Sequence, residues 1–152
     1  MKPLYWNVVP SLLLVLLGVQ PAFSLPTIIS STTSVATNLT LDGEGSASSR
    51  IVKVANLELS TADPDGFTLT ISSQSLTKSG GETPISFQVT TVSTGSGSPS
   101  ASDFPAPSGS NYTVSTSSAG SSAKDLYIRY TPATLQDPGA YSASISLVVT
   151  DN

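Results

Sequence analysis

Apolar and polar residues alternate in short runs along most of this chain. Phe67, Leu69 and Ile71 alternate with Thr68, Thr70 and Ser72. Ile85, Phe87 and Val89 alternate with Ser86, Gln88 and Thr90. Leu126, Ile128 and Tyr130 alternate with Tyr127 and Arg129, and Tyr141, Ala143, Ile145, Leu147 and Val149 alternate mostly with serine. A period of two sends successive side chains to opposite faces of a strand, so each run can bury one face and cover the other with hydroxyls. Three less regular segments add to the set. Val35, Leu39 and Leu41 mark a strand near 34–41, and Tyr112 and Val114 a weak one near 111–117. The segment from Ile51 to Leu59 is apolar at both parities, which leaves its inward face open.

Turn chemistry separates these runs at Asp42-Gly43-Glu44-Gly45, Asp63-Pro64-Asp65-Gly66, Gly80-Gly81 and Asp137-Pro138-Gly139. Asp opens turns, Pro fixes φ and Gly accepts positive φ. No segment carries a helical period. The pattern predicts an all-β domain of about seven antiparallel strands in a two-sheet sandwich of immunoglobulin-like architecture. The stretch Ser93–Ser110 is rich in Gly, Ser and Pro and reads as a long exposed loop, a place where function or mobility concentrates; Phe104 in its middle is expected to pin it by packing.

The start of the chain differs. Lys2 precedes an apolar centre at Leu12–Leu17, and Ala22-Phe23-Ser24 puts small residues before a cleavage point, as in a secretory signal peptide. The apolar stretch is interrupted by Pro10, Ser11 and Gly18 and falls short of the roughly 20 residues a spanning helix needs. The expected organisation is a cleaved leader over 1–24, a free N-terminal arm over 25–33 anchored only by Ile28 and Ile29, and a sandwich domain over 34–152. That assignment implies a secreted, periplasmic or cell-surface product, of bacterial character, with no integral membrane segment after cleavage.

Composition narrows the chemistry. The chain has no Cys and no His, which removes thiolate nucleophiles, redox pairs, disulfides and the commonest general base and metal ligand. Six basic residues stand against ten acidic ones; loss of Lys2 with the leader leaves five against ten, a net charge of −5. Sparse acidic charge is unlike the basic footprint of a nucleic-acid binder, so no nucleic-acid partner is expected.

Two Ser-x-x-Lys matches occur, Ser75–Lys78 and Ser121–Lys124. The spacing brings a lysine to a serine only on a helix, and neither match lies in a helical pattern. Asp63 and Asp65, joined in space by Asp42 and Glu44 or by Asp137, have the alternating carboxylates of a calcium loop, but the same residues are what a hairpin turn requires. A glycosidase would need paired carboxylates and aromatic platforms, and the single tryptophan, Trp6, lies in the leader. Tyr127 is the aromatic whose parity points it outward, beside Arg129, and is a candidate contact residue with Ile28, Ile29 and Phe104. No catalytic residue, metal ligand or cofactor is assigned on this basis.

The end of the chain carries a resemblance. Tyr130-Thr131-Pro132 followed by Pro138-Gly139-Ala140-Tyr141 and the alternating run to Thr150 resembles the closing strands of bacterial secreted pilin-like domains, the spore coat protein U and fimbrial subunit group. The resemblance implies an immunoglobulin-like subunit that assembles by strand addition, with residues 25–33 as the donor arm and Tyr141–Val149 as an edge or groove wall. The expectation is therefore a structural or adhesive surface subunit whose partner is protein, a second copy of itself among the candidates. The alternative is an extracytoplasmic binding module for sugar, peptide or calcium that uses the loops Ser93–Ser110 and Asp63–Gly66.

Overall fold

The computed structural model describes residues 24–37, 39, 41, 47–80, 83–136 and 139–152. The proposed leader lies outside the described residues, apart from Ser24. So do Asp42, Glu44 and Asp137.

The described chain is all-β. Its strands are β1 (Thr27–Thr32), β2 (Arg50–Thr61), β3 (Phe67–Ser73), β4 (Thr77–Lys78), β5 (Phe87–Ser93), β6 (Tyr112–Ser115), β7 (Gly120–Tyr130), β8 (Tyr141–Ser142) and β9 (Ile145–Asp151). They form antiparallel sheets in the orders β1-β2-β7-β5 and β6-β3-β9, with β4 and β8 making a small ladder of their own. One core joins the two larger sheets. Leu57, Leu59, Val89, Leu126 and Ile128 of the four-stranded sheet cluster with Phe67, Leu69 and Ile71 of the three-stranded one.

The alternation read from the sequence sets these faces. Phe67, Leu69 and Ile71 are almost fully buried, while Thr68 and Ser72 on the opposite face bond to Ser115 and Asn111. Leu126, Ile128 and Tyr130 are buried on β7. β2 explains its own ambiguous pattern. Val52 pairs with Ile128 and Ala55 with Leu126, and the register shifts between Lys53 and Ala55. The extra residue of this bulge switches the inward parity from even to odd, so both sets of apolar residues are used in turn.

Three expectations are corrected. The described residues of 34–41 form no strand: Ser34–Thr37 is a single 3₁₀ turn. Its backbone bonds locally, Ala36 N–H to Thr33 C=O at 3.1 Å, and Ala36, Leu39 and Leu41 reach the core from this turn and the chain after it. Residues 25–33 are no free arm, because Thr27–Thr32 pairs along its length with Ser60–Ala55 as edge strand β1. Ile28 turns inward against the core, and Ile29, on the other face, is 65% exposed. Tyr127 does lie on the outer face of β7, opposite Lys53 and Thr90, but it is buried.

The cover over Tyr127 is the 94–110 segment. Gln88 Nε2 donates to the carbonyls of Phe104 and Ala106, and Arg129 Nη1 donates to that of Ala101. Pro99 and Phe104 of the segment are buried, as are Thr90, Asp125 and Tyr127 on the outer face of the sheet. A second, smaller core thus forms behind the four-stranded sheet. Phe104 pins the loop, as its apolar side chain predicts.

Candidate functional site

The sandwich is closed along one side and open along the other. On the β5–β6 side, Tyr112 Oη lies 3.4 Å from Thr91 Oγ1 across the two sheets. On the opposite side run β1 and β9, each the last strand of its sheet. Between them a cleft of about 620 Å³ reaches the core. Ser30 and Thr32 of β1, with Ala36, Leu39 and Leu41, form one wall; Tyr141, Ile145 and Leu147 form the other. Buried Ala55, Phe87, Leu126 and Ile128 line its depth.

The sequence accounts for this opening. β1 has one inward apolar side chain, Ile28; its next inward positions are Ser30 and Thr32, opposite Leu57 and Ala55. Short polar side chains cannot fill the space that a Val or Ile at those positions would fill. Ile145, Leu147 and Val149 on β9 are therefore only half buried, although they have the alternation of a core strand. Beyond the cleft Thr61 Oγ1 donates to Asp151 Oδ1 at 2.6 Å and ties β2 to β9.

The connection before β8 is held by a side chain that no sequence pattern singles out. Gln136 is buried. Its Oε1 accepts from Ala133 N–H at 3.1 Å, and its Nε2 donates to Thr83 C=O at 3.0 Å and to Tyr141 Oη at 2.7 Å. It thereby fixes Tyr141 in the cleft wall. A glutamine inside a polar loop has no periodic pattern to reveal such a role.

The outer face carries the main electrostatic feature. Lys53 Nζ is 2.9 Å from Asp125 Oδ2, and Thr94 Oγ1 donates to Asp125 Oδ1 at 3.0 Å. Burial of Asp125 works to raise its carboxyl. The bonds from Lys53, Thr94 and the Gly95 backbone N–H, with the lysine charge, outweigh it and hold the group below the usual aspartate value. Asp103 is also lowered, by the backbone N–H and then the hydroxyl of Ser100.

The candidate motifs take ordinary structural places. Ser121 and Lys124 lie three apart on β7, hence on opposite faces; Ser75 and Lys78 also lie on extended chain around the Leu76–Ile85 bridge. Asp63 Oδ1 accepts from Asp65 N–H at 2.8 Å, and Asp63 C=O from Gly66 N–H at 3.1 Å, which closes a turn. Among the described residues no group of three acidic side chains comes together as a metal site. Nor is any helix among them long and apolar enough to cross a membrane. Ile28 and Leu147 meet the cleft side of the molecule, whereas Phe104 and Tyr127 belong to the small core behind the other sheet.

Comparison of the chain with protein-family models, with curated proteins and with solved structures finds no match.

Proposed function

We propose that this chain is a secreted or cell-surface structural subunit of immunoglobulin-like kind, without enzymatic activity, which assembles with copies of itself by exchanging residues 25–33. The observation that carries this reading is the cleft between β1 and β9. β1 is hydrogen-bonded to β2 alone, and across the cleft no strand supports it among the described residues. Detaching it sacrifices one ladder and the partial burial of Ile28, and little packing besides.

In the exchanged form residues 25–33 of one copy re-form the β1 ladder on the β2 edge of the next. The contacts are those of the monomer, so the assembly gains mass without a new interface chemistry. The surface is heterologous: donor and acceptor are different parts of the molecule. Such contacts propagate into open chains unless the rotation closes a ring. The similarity of residues 130–150 to pilin-like closing strands supports the same reading.

The test is an unboiled against a boiled gel of the native surface and medium fractions. A ladder that collapses on boiling is expected, and a single monomer band in both lanes overturns assembly. The absence of cysteine gives a cleaner second arm. Ile29 and Glu58 are paired across the β1–β2 ladder with both side chains exposed. Mixing separately made Ile29→Cys and Glu58→Cys proteins under mild oxidation is expected to yield a covalent heterodimer, since adjacent-strand Cα atoms lie within disulfide range.

A further inference from the structure

Arg129 lies half-buried on the outer face of β7, and its surroundings are those of a binding group. Among the described residues its guanidinium is fixed by neutral acceptors only. Nε donates to Ser49 Oγ at 3.1 Å, and Nη1 donates to Gln88 Oε1 at 3.3 Å and to Ala101 C=O at 3.2 Å. Gln88 is itself immobilised, because its Nε2 is bound to two carbonyls of the 94–110 segment. A guanidinium has five N–H donors, so the two on Nη2 remain. Among the described residues no carboxylate pairs with Arg129, in a chain whose acidic residues outnumber its basic ones.

A pocket of about 350 Å³ opens beside it. Among the described residues Arg129 is the charged side chain of its lining; Ser86, Ser108 and Thr131 add hydroxyls, and Pro84 adds an apolar patch. A half-buried cation held rigidly by neutral groups is complementary to an anion that arrives with its own hydrogen-bonding atoms. The pocket is open to solvent, with Pro84, Ser86, Ser108 and Thr131 exposed, and its volume and hydroxyl lining suit a compact ring rich in hydroxyls.

From this we infer that the pocket at Arg129 binds a carboxylate-bearing sugar of uronic-acid type. The carboxylate accepts from Nη2, the ring hydroxyls meet Ser86, Ser108 and Thr131, and the apolar edge of the ring rests on Pro84. The inference is independent of strand exchange. It would give a surface subunit a second task, the holding of an acidic polysaccharide.

The experiment is a titration of the protein with glucuronate, glucose and acetate, followed by backbone amide chemical shifts. Glucuronate is expected to shift amides near Ser86, Ser108 and Arg129, and to bind at least about tenfold more tightly than either glucose or acetate. Arg129→Gln is expected to abolish the response. Because that variant also loosens the 94–110 segment, Ser108→Leu is the second variant: it fills the pocket and leaves every Arg129 bond in place. Loss of binding in both, with the Ser108→Leu spectrum otherwise unchanged, supports the site. Glucose binding as tightly as glucuronate overturns the role of the carboxylate. Acetate binding as tightly overturns the sugar, and glucuronate binding that survives Ser108→Leu overturns the pocket.

Discussion

Thr61 on β2 and Asp151 on β9 join the two sheets through one hydrogen bond, Oγ1 to Oδ1 at 2.6 Å, with Thr61 buried. The same Oγ1 accepts from Asp63 N–H at 3.0 Å, so a single hydroxyl also starts the turn that leads to β3. Thr61→Val keeps the shape and deletes both bonds. It leaves a carboxylate short of a donor, and a loss of about 1–3 kcal/mol is expected in urea unfolding. Asp151→Asn, which keeps an acceptor, is expected to lose less.

The cleft makes two neighbouring strands of one sheet, β3 and β9, unequal in their sensitivity to truncation. Leu69 on central strand β3 is 0% exposed, and Leu69→Ala should cost about 2–5 kcal/mol through lost burial and a cavity. Leu147 pairs opposite Ile71 on the neighbouring strand but lines the cleft. Leu147→Ala should cost about 1 kcal/mol, because its side chain is already part-solvated and leaves no closed void. Equal losses in the two variants would mean that the cleft is filled in solution.

Gly66 is the position where turn and packing both demand glycine. Its φ is +87°, and a Cβ there would run into the carbonyl of Thr116, whose N–H and Oγ1 are bonded to Phe67. Gly66→Ala is expected to lower stability by about 2 kcal/mol or more in thermal or urea unfolding. Alanine at Gly95, where a Cβ would meet nothing, should pay only the strain of its positive φ and cost less.

Asp125 gives stability a defined pH dependence. Its carboxyl is lowered in the folded state, so its contribution is present above the ordinary aspartate range near 4 and is lost as pH falls through the folded value. Asp125→Asn should flatten the acid limb of the stability curve and cost about 1–2 kcal/mol at neutral pH, since Lys53 and Thr94 lose a charged acceptor. Lys53→Met is expected to lower stability at neutral pH and to flatten the acid limb as well, because losing the group that offsets the burial of Asp125 raises its folded pKa toward the unfolded value.

Much of the fold was legible where periodicity and turns agreed. β3, β7 and the Phe87–Val89 part of β5 follow their alternation, and the Asp63–Gly66 turn follows its residue types. The bulge at Val54 was legible only as an ambiguity, since two parities of apolar residues look alike whether a strand is buried on both faces or changes face midway. The 34–41 segment misled because Val35, Leu39 and Leu41 match a strand spacing, while the backbone closes a 3₁₀ turn and delivers Leu39 and Leu41 to the core from a loop.

The sequence by itself determined which side chains of β3, β7 and the Phe87–Val89 part of β5 go inside, that the chain turns at Asp63–Gly66, and which chemistries are closed to a protein with neither cysteine nor histidine. Those depend on residue identity and local geometry alone. Only the tertiary structure decided that Thr27–Thr32 pairs with β2, that Ser30 and Thr32 leave a cleft against β9, that the 94–110 segment buries Tyr127, and that Arg129 is held by neutral groups beside a pocket. Each of these depends on partners from distant parts of the chain, and no local pattern encodes which surfaces will meet.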